Sequence, residues 1–178
     1  APRPDRAPMP APDLWDITRP LAPVRYAFRV HGWKGPPWHV RRFKLHEALN
    51  TPYRLTLELV TAAPAVDLDE LLGDACELHL DRHATDRTIH GIILAAEELG
   101  RSGGFLQIRL EIGPALALLA QRVDTRAWQE KTAPEILRDV LAPLSELGRS
   151  ARLDALRAGS YPRREYCVQY AESDLEFA

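Results

Sequence analysis

From Tyr26 to Ile112 the apolar residues fall mostly on alternate positions. That is the period of strands with one face turned to a core. Tyr26, Phe28 and Val30 alternate with Ala27 and Arg29. Trp38 and Val40 occupy even positions, but Phe43 and Leu45 occupy odd ones, so the phase slips at Arg41-Arg42. A β-bulge absorbs such a slip by admitting one extra residue, and it bends the strand. Tyr53, Leu55, Leu57 and Leu59 alternate with Arg54, Thr56 and Glu58, and Cys76, Leu78 and Leu80 form another row. Ile89 to Ala95 is more uniformly apolar, as in a central strand, and Leu106, Ile108, Leu110 and Ile112 close the series. Six short strands with mostly short connections predict an antiparallel barrel or half-barrel. The fold class is mainly β with short helices.

The period changes after Gly113-Pro114. Ala115 to Gln121 reads as a short helix, and Asp67 to Gly73 as one helical turn closed by glycine. Thr132-Ala133-Pro134-Glu135 forms a capping box, with proline where its missing amide costs nothing. Ile136, Leu137, Val140, Leu141 and Leu144 then make one apolar stripe at helical spacing, which Pro143 ends or kinks. Near the end Tyr166, Val168 and Tyr170 alternate with Cys167 and Gln169, a strand with one buried face. Ser173-x-x-Glu176 is a second capping box, followed by Leu175 and Phe177. A cap stabilises by about 1 kcal/mol, while ordering each residue of a stub costs about 1–2 kcal/mol. The expectation is therefore a polypeptide that continues. The division expected is a Pro-rich leader over 1–23, a first β-barrel over 24–125, a helical connector over 126–160, and over 161–178 a strand and helix start leading into a second domain.

Composition narrows the function. Net charge is -2, from 23 basic and 25 acidic residues, which offers no field for gathering nucleic acid. Cys76 and Cys167 make no disulfide framework and fit a reducing compartment. The longest apolar run, Ile112 to Ala120, is too short to span a bilayer, and no signal peptide is recognisable. Pro2, Pro4, Pro8, Pro10, Pro12, Pro20 and Pro23 mark residues 1–23 as a tether or arm, with Leu14, Trp15 and Ile17 as its only bulky apolar cluster.

Candidate chemistry is sparse. Cys76-x-x-His79-x-x-x-His83 has a zinc-like spacing, but residues three apart on a strand point to opposite faces. Asp67, Asp69 and Glu70 crowd the start of a helical turn, where the dipole favours negative charge over acid–base work. His90-Gly91 suits a tight sheet contact better than a catalytic base. Arg41-Arg42 and Arg163-Arg164 are short basic pairs near aromatics, and the balanced charge argues against a nucleic-acid role. There is no P-loop and no dinucleotide fingerprint. No catalytic residue, cofactor or metal site is assigned.

Several collinear stretches carry a family resemblance. YPRREYCVQYAESDLEF (161–177) resembles the tyrosine-rich segment of VgrG-type spike proteins of the type VI secretion system, a family related to the contractile phage baseplate hub. Arg41 to Thr61, with its Thr51-Pro52-Tyr53 step, resembles the early hub strands. Asp67 to Leu80, Ile89 to Gly100 and Arg126 to Ile136 match further family segments. The resemblance implies a hub of two related barrels per subunit, with three subunits in a ring docked on a hexameric tube and baseplate. It implies a structural protein without catalytic activity, assembled in the bacterial cytoplasm and then secreted, with an effector or adaptor as a further partner. A phage tail hub, or a non-enzymatic effector- or adaptor-binding module, is the alternative. The chain departs from the pattern in its proline-rich leader, its Gly/Pro/Trp-rich loop at 32–38 and its early end.

Overall fold

The computed structural model describes residues 25–82, 85–146, 148–149, 153 and 159–178. The Pro-rich leader and His83 lie outside the described residues, as does most of 147–158. Strands β1 (Arg25–Val30), β2 (His39–Ala48), β3 (Thr51–Thr61), β4 (Ala75–Arg82), β5 (Thr85–Ser102) and β6 (Phe105–Gly113) form one sheet. Its order is β1-β4-β5-β6-β3-β2, and every pairing is antiparallel. The sheet curls until its two outer strands meet, at a single bridge between Phe28 and Trp38. Tyr26 and Phe43 reach across the same seam, their rings 5.4 Å apart.

The alternating rows line the inside of this curl. Leu55, Leu57 and Leu59 from β3, Cys76 and Leu78 from β4, and Leu106, Ile108, Leu110 and Ile112 from β6 are all buried in one cluster. The phase slip at Arg41-Arg42 is a bulge: Val40 faces Leu59 and Arg42 faces Glu58, leaving Arg41 as the extra residue. β5 is much longer than the apolar run at 89–95, because its first half pairs with β4 and its second with β6. Register shifts between Ile93 and Ala95, and between Glu98 and Gly100, bend it around the barrel. The 32–38 loop folds over one end of the barrel. Trp33 packs on Trp38 at 4.8 Å between ring centroids and donates its indole N–H to the Pro36 carbonyl at 2.9 Å.

Helix α1 (Leu68–Leu71) is the expected single turn, with Asp67 as its cap and Gly73 at φ 82° beyond it. The helix expected at Ala115 to Gln121 is a 3₁₀ helix. Residues 126–132, expected within a helical connector, are instead most of strand β7 (Val123–Thr132), which pairs with β8 (Arg163–Ser173). Its polar composition hides the strand: Trp128 alone on β7 is buried. Helix α2 (Ala133–Glu146) starts where the Thr132 box places it, with the Glu135 carboxylate accepting from the Thr132 amide at 2.7 Å. It carries Pro143 inside rather than ending there. Helix α3 (Asp174–Phe177) bears the complete Ser173–Glu176 capping box.

A candidate interaction surface

Among the described residues, β7 and β8 pair only with each other, so the outer edge of each strand is open. One face of this ribbon is covered. Trp128 of β7 packs with Ile136 and Val140 of α2, and its ring stacks on Phe177 of α3 at 5.1 Å. Beside it, the Gln169 side chain is fully buried and accepts from the Arg126 guanidinium at 2.8 and 3.1 Å. Gln169 also donates to the buried Asp174 carboxylate at 2.8 Å, and Arg126 donates to the same oxygen. The other Asp174 oxygen has no hydrogen bond among the described residues and lies 3.7 Å from the Arg122 Nε. Sequence reading passed over this group because Arg126, Gln169 and Asp174 look like surface residues on their own. Ser173 preceding an aspartate that is itself inside a capping box was the available signal.

The other face is open, and here the expectation for the terminal strand is corrected. Alternation at 166–170 is real, but the apolar set faces out. Tyr166 is 58%, Val168 41% and Tyr170 77% exposed, while Gln169 is buried. The register sets Ala127 opposite Val168 and Gln129 opposite Tyr166, so β7 adds small and uncharged side chains to the same face. Near its end the ribbon is bent by Ala171 at φ 47°, whose amide donates to Thr125 Oγ1 at 3.1 Å. The result is an exposed aromatic face on a ribbon whose outer edges have no strand partner among the described residues, a combination suited to pairing with another chain.

The remaining candidates stand as follows. Cys76 is buried in the barrel, and burial pushes its thiol up to about 12. His79 points the other way and shares a 3.0 Å hydrogen bond with Thr88. The zinc-like spacing thus does not converge, and no metal-binding cluster occurs among the described residues. Asp67 Oδ1 accepts from the amides of Asp69 and Glu70 at 3.1 and 3.4 Å, the capping role. Gly91 is required by packing, since a Cβ there would lie 2.5 Å from the Tyr53 hydroxyl and 2.6 Å from Ile112 Cγ2. Tyr53 donates to the His90 carbonyl, and burial pushes its phenol up to about 12. Arg42 is held by Glu58 at 2.8 Å, and Arg163 donates to the Glu130 carbonyl. Both free cysteines are unbridged. No described helix is long and apolar enough to cross a membrane.

Comparison with known proteins adds the lineage. The model of the phage tail baseplate hub (GPD) family matches residues 46–178. The chain belongs to that family. It is 37% identical over 139 residues to the type VI secretion system spike protein VgrG4b of Pseudomonas aeruginosa, covering 78% of this chain and 17% of that protein. It is 36% identical over 159 residues to VgrG5 of the same species, covering 89% of this chain and 20% of the relative. The actin cross-linking toxin VgrG1 of Vibrio cholerae is 30% identical over 169 residues, covering 88% of this chain and 15% of that protein. The hub-family chain therefore spans a fifth or less of these curated relatives. The solved Escherichia coli c3393 protein superposes with a TM-score of 0.67 at 25% identity, over 84% of this chain and 40% of that one. It is described as a type VI secretion component structurally similar to the T4 bacteriophage tail proteins gp27 and gp5. The resemblance read from the sequence and the β-rich hub fold both hold.

Proposed function

We propose that this chain is a hub portion of the spike of a type VI contractile injection machine, acting by assembly and not by catalysis. Three copies form the ring that docks on a hexameric tube and on baseplate proteins, and the assembly is secreted with them. The leader over 1–23, the barrel of β1 to β6 and the segment after it serve that ring. The observation that carries this reading is the β7–β8 ribbon, whose aromatic face and two open edges suit contact with further polypeptide. Support comes from kinship with the VgrG spike proteins and with the c3393 component. A structural ring needs complementary surfaces and not a tuned pKa. A phage tail hub is the second reading, favoured by the family's own description.

The test is native mass spectrometry and co-fractionation of the protein with its genomically neighbouring tube and baseplate components. A trimer that co-fractionates with them is expected. Tyr166→Glu with Tyr170→Glu is expected to reduce assembly while leaving the barrel folded. A monomer that ignores both components would overturn the proposal, and co-fractionation with a phage tail tube would select the second reading.

A further inference from the structure

On the outer face of the barrel, charges are largely matched from strand to strand. Glu58 of β3 takes Arg42 of β2 at 2.8 Å and Arg109 of β6 at 3.4 Å, and Arg109 continues to Glu97 of β5 at 2.8 Å. On the inward row of β5, beyond Ile89, Arg87 is likewise matched by Glu47 of β2 at 2.5 Å. The neighbouring rungs break this rule. Lys44 stands opposite Thr56, and His46 stands directly opposite Arg54. Lys44, His46 and Arg54 are all exposed, and none makes an ion pair among the described residues. These groups border one cleft of about 490 Å³, lined by Lys44, His46, Thr51, Pro52, Arg54, Thr56 and Glu111.

The lining has a definite chemistry. Lys44 and Arg54 supply two positive groups, and the His46 ring and the Thr51 and Thr56 hydroxyls add hydrogen-bonding groups. Glu111 is the single carboxylate in the wall. At the tip of the β2–β3 hairpin, Leu49 is 94% exposed, with Asn50 turning the chain at φ 56°. A cationic cleft beside a protruding leucine fits a peptide that presents carboxylates together with apolar surface, and not a bare metal or a polyanion backbone.

We infer that this cleft docks an acidic segment of a partner protein, with its carboxylates on Lys44 and Arg54 and Leu49 in contact beside them. The inference goes beyond the hub reading, since it assigns a partner chemistry to a surface that shares no residue with the β7–β8 ribbon. A fluorescent hexaglutamate peptide titrated into the full chain at about 0.01 M salt, where charges act over roughly 30 Å, tests it by anisotropy. Saturable binding is expected. Arg54→Glu should weaken it by about tenfold, equivalent to 1.4 kcal/mol, while Arg138→Glu, the same charge change on α2, should leave it within about twofold. Glu111→Gln should tighten binding, a gain that misfolding cannot produce. Equal losses from Arg54→Glu and Arg138→Glu, or no saturable binding at all, would overturn the site. Inorganic phosphate competing at equal concentration would show a small-anion site and also overturn the acidic-segment assignment.

Discussion

The barrel and the β7–β8 unit are stabilised by different means. The barrel encloses one apolar cluster that draws on all six of its strands. The second unit has two small apolar clusters, around Leu119 and Trp128, and between its elements the buried Gln169 and Asp174 meet the partly buried Arg126. Apolar burial is non-directional and tolerant of small shifts. A buried ion pair is neither, because its attraction offsets desolvation only when geometry and hydrogen bonds are complete. A two-stranded ribbon is marginal alone, so the second unit depends on the Arg126–Gln169–Asp174 group and on the packing of α2 and α3 against Trp128.

The largest effect should come from cutting the barrel core. Leu110 is fully buried, and Leu110→Ala should cost about 2–5 kcal/mol in chemical denaturation. Its reporter is Cys76, whose thiol is buried and held up to about 12, so it should react with a thiol reagent only as the barrel opens. Faster labelling of Cys76 in the variant is expected. Unchanged labelling would mean that the core is not the continuous unit described.

Asp174→Ala should cost about 1–3 kcal/mol, by taking one acceptor from the buried Gln169 amide and from the partly buried Arg126, which keep the Glu172 carbonyl and the Asp124 carboxylate beside them. This loss should stay local. Cys167, half-buried on the covered face of β8, should label faster while Cys76 does not. Equal acceleration of both cysteines would show one cooperative unit and remove the contrast.

The same contrast explains which parts of the chain were readable. Period-two rows at 53–59 and 106–112 named the barrel strands because each faces a single apolar interior. The slip at Arg41-Arg42 was equally legible, since a bulge is the one way to keep both halves of a row inward. Strand β7 was not legible: its covered face is shared between Trp128 and the polar Arg126 and its other face is open, so Val123 to Thr132 shows no apolar alternation. On β8 the pattern was visible and its sense inverted, because Gln169 goes inward to Asp174 while the tyrosines face out. Hydrophobic period reports a core only where the core is hydrophobic. The lineage, by contrast, was legible from local motifs such as 126–136 even where their secondary structure was not.

A smaller effect should isolate one barrel contact. Tyr53→Phe removes the hydrogen bond to the His90 carbonyl beside Gly91 and should cost about 1 kcal/mol. The hydroxyl is also the Tyr53 atom nearest to residue 91, so the variant leaves a small gap there while Ile112 keeps its contact, and Cys76 labelling should rise only slightly. A loss as large as that of Leu110→Ala would mean that the hydroxyl holds β5 in register.

Acid should separate the two regions without any mutation. In the second unit three carboxylates are held below their ordinary range: Glu135 by the Thr132 amide and hydroxyl, Asp139 by Lys131 at 2.5 Å, and Glu176 by the Ser173 amide and hydroxyl. In the barrel only Glu58 is so held among the described residues, chiefly by Arg42. A depressed folded-state value means stability that is present above the unfolded carboxylate range, about 4, and is lost as pH falls through the lower folded values. The caps of α2 and α3 and the Lys131–Asp139 contact should therefore weaken first on acidification. Hydrogen exchange, corrected for its intrinsic pH dependence, should show β7, α2 and α3 amides losing protection below about pH 4 while β3 and β6 amides keep theirs. Parallel loss in both regions would mean that acid acts through overall charge repulsion and not through these three contacts.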